Sequence, residues 1–323
     1  MKRYSLDKFP ETVLRPEVVA KHEMHRENLA PSISGYVNVG HRDTSIFDWL
    51  LRVFENLSLS TVDPKFMDSL AVIKTKFSMF VILLDDTVDN ADKRNFDLYT
   101  ELVKIPFHQE HCDSSRLSED EAKYLEFSIS LWNDIIKEVK SYPKYEKYRN
   151  AFEFDMQQIV NSMDYSKFVN VTPNAVNLLE NGAYVHHAMI VLMQLDFDLM
   201  CSDGFDDKEL GAMRELAYLS QKMARIGNVI GTYPRELVEE DMSSEALIRF
   251  RQDFGDIARR IENEERQDVR RYLEFEEELA KEWESQYSEA RILSLKVKSI
   301  DMQRYLEERK FIQDAYRSLV EQF

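Results

Sequence analysis

Apolar residues recur along most of this chain at spacings of three and four, the period of a helix with one buried face. Phe47, Leu50, Leu51 and Phe54 mark an amphipathic helix opening near Asp43-Thr44. Asp63-Pro64 opens a second that runs to about residue 90, with proline at the first turn, where no amide hydrogen is needed. Further helices are predicted at about 96–104, 118–140 and 145–168. Thr172-Pro173-Asn174 then leads into an apolar segment reaching Met200 and interrupted at Gly182. After an Asp203-Gly204 turn the pattern predicts a helix over about 206–233. Pro234 should kink or end it, because proline lacks an amide hydrogen and crowds the preceding turn. A charged amphipathic stretch starts at Ser243-Ser244-Glu245 and reaches about 282, and a last helix covers about 286–321. Residues 1–43, with Pro10, Pro16, Pro31 and Gly35, read as an extended N-terminal arm around a short helix. No alternating strand pattern, internal repeat or low-complexity segment is visible. The expectation is an all-α chain forming one helical domain over residues 1–323.

Composition narrows the function classes. With 44% hydrophobic and 11% aromatic residues the chain can build a large core, and 8 Gly and 8 Pro in 323 residues favour long helices over many turns. A net charge of −17 argues against nucleic acid and against anionic membrane surfaces, both of which would repel it. Two cysteines, Cys112 and Cys201, make no disulfide framework and suit a reducing compartment. No secretory leader follows the basic start, and no stretch reaches the length of a membrane span, so a cytoplasmic protein is expected.

Two sets of oxygen ligands carry the chemistry. In Asp85-Asp86-Thr87-Val88-Asp89, Asp85 and Asp89 are four apart and share a helix face, with Asp86 at its edge. The same stripe one and two turns earlier holds Val81 and Phe77, so a charged rim stands above an apolar wall. Phe80 to Leu84 makes that helix apolar nearly all round until the acids begin, which places them at a cleft better than on a solvated helix end. The second set, Asn228, Thr232 and Glu236, stacks an amide, a hydroxyl and a carboxylate in one column. Such donors suit a hard cation, and Mg²⁺ typically takes one or two carboxylates and completes its shell with water and substrate phosphates.

These motifs resemble those of class I terpene synthases of the single-domain microbial type. Asp85, Asp86 and Asp89 match that family's D-D-x-x-D, and Asn228, Thr232 and Glu236 match the ligand positions of its N-D-x-x-S/T-x-x-x-E, with Val229 in place of the usual acid. The resemblance implies an α-helical bundle holding three Mg²⁺ ions and a prenyl diphosphate between the two motifs, ionisation of that substrate, and cyclisation of the carbocation. It further implies diphosphate contacts from Arg304-Tyr305, which matches an Arg-Tyr pair near the family's C-terminus, and from Arg225 and Arg235 beside the second motif. Homodimers are common in that family. Its sesquiterpene members usually carry an upstream diphosphate-sensing arginine. Here the region reads Asn177 to Tyr184 with no arginine, closer to bacterial kaurene-synthase-like diterpene cyclases, which favours geranylgeranyl over farnesyl diphosphate. Gly182 is then expected to break the helix and expose a carbonyl to the cation, with Phe77 and Tyr184 offering ring faces to it.

Two alternatives stay open. A chain-elongating prenyl diphosphate synthase of the same fold would carry a second D-D-x-x-D where this chain has Asn228 to Glu236, and a non-catalytic helical scaffold would need neither motif. His108-Gln109-Glu110-His111-Cys112 places metal-type ligands together, but nothing completes a four-ligand set, so it reads as a surface loop. His186 and His187 read as core histidines.

Overall fold

The computed structural model describes residues 16–89, 94–249 and 269–320, and these are mostly helical with no strand; the nearest approach to one is an isolated bridge between Val62 and Ser202. The helices in order are α1 (Pro16–Val37), α2 (Ser45–Asn56), α3 (Met67–Asp85), α4 (Phe96–Leu102), α5 (Ile105–His108), α6 (Glu119–Val139), α7 (Tyr145–Val171), α8 (Leu178–Tyr184), α9 (Val191–Met200), α10 (Leu210–Val238), α11 (Glu245–Arg249), α12 (Val269–Ser294) and α13 (Met302–Val320). No helix among the described residues is long and apolar enough to cross a membrane.

Local chemistry sets many of the helix starts. Ser118 and Glu121 form a capping box on α6: the Ser118 amide donates to Glu121 Oε2 at 2.6 Å, and the Glu121 amide donates to Ser118 Oγ at 3.4 Å. Asn95, Asn177 and Asp301 cap α4, α8 and α13 through side-chain oxygens 2.9–3.0 Å from backbone amides. Packing does the rest. α3 is buried along nearly its whole length and α9 at every position, so both form the centre of the bundle. One continuous core runs from Tyr36 to Leu306. At its middle Phe77 meets Phe197 edge-on with centroids 5.4 Å apart, and Trp132 lies against Phe80 at 4.9 Å and Phe152 at 6.3 Å.

The structure departs from the pattern reading where tertiary contacts outweigh local signals. The region from Pro16 to Val37 is a 22-residue helix that accommodates Pro31, because Leu29 and Tyr36 are buried against the bundle. α10 continues through Pro234 to Val238. The apolar segment breaks at Val185–Met189, a 3₁₀ turn ending on Ile190 at φ 54°, and not at Gly182. The final helical stretch is divided at residues 295–301, where the Ser299 amide and hydroxyl both bond Glu209 at 2.9 and 2.7 Å.

α1 is fastened to α2 and α3 by a buried ionic group. Glu55 accepts from His22 Nδ1 at 2.9 Å and His25 Nδ1 at 2.6 Å, while His22 Nε2 reaches Asp48 at 3.1 Å and His25 Nε2 reaches Asp68 at 3.3 Å. Burial alone would lower the His22 pKa, but its bonds to Asp48 and Glu55 overcome that and push it up to about 9. A histidine with a raised folded-state pKa stabilises fully below its unfolded value near 6.5 and loses that contribution as pH climbs through 9. Burial opposes ionisation of Glu55 and Asp48, yet bonds from the histidines hold both below the usual carboxylate range, so both stay charged throughout that window. Stability should therefore fall between pH 6.5 and 9 by on the order of 2 kcal/mol after solvent screening. Urea melts across that range check this: His22→Gln should flatten the slope, and an unchanged slope would remove His22 as its source.

Candidate active site

The last turn of α3 delivers the first acid row. The Asp86 amide bonds Ile82 O at 2.9 Å and the Thr87 amide bonds Leu84 O at 3.2 Å, so the helix tightens after Asp85. The Asp89 amide still bonds Asp85 O at 3.2 Å, which keeps Asp85 and Asp89 stacked one turn apart as their spacing predicts. Beneath them Val81 and Phe77 are buried, Phe77 fully so within the aromatic centre.

The second row forms on α10. Arg225 Nη1 donates to Asn228 Oδ1 at 2.7 Å and stands 3.6 Å from Glu236 Oε1. Thr232 Oγ lies 2.7 Å from Glu236 Oε1 and 2.8 Å from Asn228 O. The column expected from the four-residue spacing is thus one connected set, with Thr232 and Glu236 buried. Ser244 Oγ donates to Glu236 Oε2 at 2.7 Å and Asp241 accepts from the Ser243 amide at 2.9 Å, so the α10–α11 loop adds a second acid beside the row. Glu240 in that loop takes the left-handed conformation, φ 51°.

Two side chains tie the rows together. Asn170, near the end of α7, donates to Val88 O at 3.0 Å and Asp241 Oδ1 at 3.3 Å, and accepts from the Met242 amide at 2.9 Å. Arg94 reaches Val88 O at 3.2 Å, Asp89 O at 2.9 Å, Glu240 O at 2.9 Å and Asn170 Oδ1 at 2.8 Å. The end of the α3 row and the α10–α11 loop are held face to face by this clamp.

The electrostatics agree with that placement. Burial, then the charges of Asp85 and Asp241, hold the Asp89 carboxyl well above the usual range. Burial and Glu236 push Asp241 up to about 6. Burial would lower the Arg225 pKa, but Glu236, Asp241, Glu245 and Asp89 more than offset it. Asp89 is therefore within electrostatic reach of both Asp241 and Arg225, across the gap between rows. Its side chain keeps partial solvent contact. Its Oδ1 is buried with no hydrogen-bond partner. Acids crowded around an unsatisfied carboxylate oxygen fit a hard divalent cation, which would supply the missing positive charge.

Arg42, in the turn between α1 and α2, caps the first row: its guanidinium bonds Asp85 and, at 2.6 Å, Asp86. Tyr36 O–H donates to Asp86 at 3.5 Å and accepts from the Arg42 amide at 3.2 Å. Sequence spacing gave no sign of Arg42, Arg94, Asn170 or Asp241, because each joins the site through a loop or a neighbouring helix.

Several expected site residues lie elsewhere. Asp301 bonds Ser60, Ser299 bonds Glu209 at the foot of α10, and any side chain at Gly227 would run into Gln313. α10 and α13 therefore run side by side in the same direction. Arg304 sits nine residues before Gln313, which puts it roughly 14 Å short of Asn228 along the axis at 1.5 Å per residue. Its guanidinium pairs with Glu308 at 2.9 Å, and Tyr305 is buried and accepts from Arg309 at 3.3 Å. The Arg304-Tyr305 pair does not reach the acid rows. An arginine–tyrosine dipeptide carries no information about which end of the bundle its helix starts from. Gly182 is exposed inside α8 with its carbonyl facing His186 Nδ1 at 3.1 Å, and Tyr184 is 41% exposed and stacked on Tyr165. Neither lines the interior. Asn181 makes the connection instead, donating to Ser243 O at 2.6 Å in the loop beside the second row. The side chain of Arg235 lies outside the described residues.

Two other polar groups stand apart from the rows. A cavity of about 360 Å³ opens between α7 and α10, lined by Phe154, Asp155, Arg214 and Tyr218 among others, well down α10 from Asn228. His108, Glu110 and His111 bring ligand atoms within 4.8 Å of one another on an exposed turn after α5, the surface position their sequence suggested.

No protein-family model, curated protein or solved structure matches the chain.

Proposed function

We propose that this protein is a Mg²⁺-dependent class I terpene cyclase that ionises a prenyl diphosphate, geranylgeranyl diphosphate in preference to farnesyl diphosphate, at the cleft between the two acid rows. One observation carries the reading: the turn that follows the α3 acids and the α10–α11 loop beside Glu236 are joined by Arg94 and Asn170, with a buried Asp89 oxygen left without a hydrogen-bond partner at the junction.

Asp85, Asp86 and Asp89 on one side and Asn228, Thr232 and Glu236 on the other would hold Mg²⁺, with Asp241 adding negative charge beside Glu236. The metal, when bound, would supply the positive charge that stabilises a departing diphosphate. Arg225 presents a permanent guanidinium at the same row and would bind diphosphate oxygens while keeping Asn228 oriented. With the diphosphate held at the rim, the hydrocarbon would lie against apolar residues below the acids of α3, where water is excluded, although Phe77 itself is fully packed against Trp132 and Phe197. The missing second D-D-x-x-D supports cyclisation over chain elongation.

The test is incubation with C10, C15 and C20 prenyl diphosphates and Mg²⁺, with gas chromatography–mass spectrometry of extracted products and an assay for released diphosphate. Cyclic hydrocarbons or alcohols, most abundant from the C20 substrate, are expected. Longer linear diphosphates in a parallel arm with isopentenyl diphosphate would replace this reading with elongation. No diphosphate release from any substrate would overturn it.

A further inference from the structure

We propose that Arg42 is the internal counter-ion of the Asp85–Asp86 pair and must be displaced before a divalent cation can occupy those carboxylates. The inference rests on the acid rows being a metal site, and names the group that controls how that site fills.

A single guanidinium bonds one oxygen of each acid, so it already takes up the position and part of the charge that a bridging cation would. Arg42 and a divalent ion cannot share the pair. Two cations at ligand distance repel strongly at the edge of a protein interior, and the guanidinium already occupies one oxygen of each carboxylate.

The placement is built into the fold. Tyr36, fully buried and edge-on to Phe47 at 4.7 Å, fixes the Arg42 amide through its hydroxyl and also touches Asp86. The backbone between them folds tightly round the ring: the Val39 and Gly40 amides bond Tyr36 O at 3.0 and 2.6 Å, and any side chain at Gly40 would collide with Tyr36. Upstream, α1 is anchored through His22, His25 and Glu55.

What can move is the side chain. Arg42 and Asp85 each keep 23% of their side-chain surface exposed, so the guanidinium can rotate into solvent while the turn stays in place. Arg225 differs, since its amide-bonded guanidinium is enclosed on the opposite row and only 13% exposed.

Mn²⁺ serves as the probe, because its free ion is counted directly by electron paramagnetic resonance. Titrations of wild type, Arg42→Gln, Arg42→Lys and Asp85→Asn at constant ionic strength decide the matter, with circular dichroism confirming that each is folded. Arg42→Gln should bind the first Mn²⁺ roughly tenfold more tightly than wild type, Arg42→Lys should fall between them, and Asp85→Asn should bind more weakly. Hydrogen exchange gives a second readout: the Arg42 amide should stay protected when Mn²⁺ binds wild type, since only the side chain leaves. If Arg42→Gln binds no more tightly than wild type while Asp85→Asn still loses affinity, the counter-ion role falls and the metal site stands. If neither wild type nor Arg42→Gln binds Mn²⁺, both fall.

Discussion

On the proposed function, turnover of a prenyl diphosphate should drop by about three orders of magnitude in Glu236→Gln, a loss of roughly 4 kcal/mol of transition-state stabilisation. Glutamine keeps the shape of the side chain and can still receive a hydrogen bond from Ser244 Oγ, now 2.7 Å from Glu236 Oε2. What it removes is the charge beside Arg225, 3.6 Å away, and the anionic end of the Asn228–Thr232–Glu236 column. The position is buried at 5% exposure, so the amide gains no compensation from water. The check is steady-state turnover with the best substrate alongside a thermal melt. A variant that folds as wild type but keeps more than a tenth of its activity would show that the α10 row does not hold the metal.

The largest loss of stability is expected in the middle of α3, away from its acids. Lys74 and Asp198 form an ion pair at 2.6 Å with side chains 1% and 0% exposed, joining α3 to α9. Lys74 Nζ also donates to Leu57 O at 3.2 Å, and Asp198 Oδ2 accepts from the Leu59 amide at 3.1 Å, so the pair also pins the α2–α3 connection. Burial raises the Asp198 pKa despite the neighbouring ammonium, which shows how costly its charge is to keep there. Asp198→Leu strands the ammonium and frees the Leu59 amide, and should cost about 3–5 kcal/mol by chemical denaturation. Lys74→Met with Asp198→Leu should recover much of that, because two apolar groups fill the site without an unpaired charge. A double variant as unstable as the single one would mean that the backbone bonds to Leu57 and Leu59, not the charges, hold this region.

The helices were legible wherever periodicity reported on packing that is local in sequence. Phe47 to Phe54 on α2 and the column from Asn228 to Glu236 on α10 needed nothing beyond the 3.6-residue repeat. Pro234 and Pro31 misled, because each lost one backbone bond while the surrounding helix was held by contacts from other elements. The partition between α12 and α13 was hidden because the turn at residues 295–301 is stabilised from outside, through Glu209 and Ser60. The site divided the same way. Asp85 and Asp89, or Asn228 and Glu236, are intrahelical neighbours and so visible in spacing. Asp241, Asn170, Arg94 and Arg42 meet them only through long-range folding, and no interval in the sequence encodes that. Arg304-Tyr305 lies away from the rows for the converse reason: its match rests on order along the chain, whereas its place in the bundle depends on the direction in which α13 runs.

The clamp has a mechanical meaning. Arg94 grips main-chain oxygens of Val88, Asp89 and Glu240, and Asn170 bridges the Val88 carbonyl to the Met242 amide. The spacing between the turn after α3 and the α10–α11 loop is therefore set mostly through main-chain groups, with the Asp241 carboxylate the one acid that takes part. Charge can arrive or depart at the lining, and carboxylates can turn toward it or away, while the jaws keep their span.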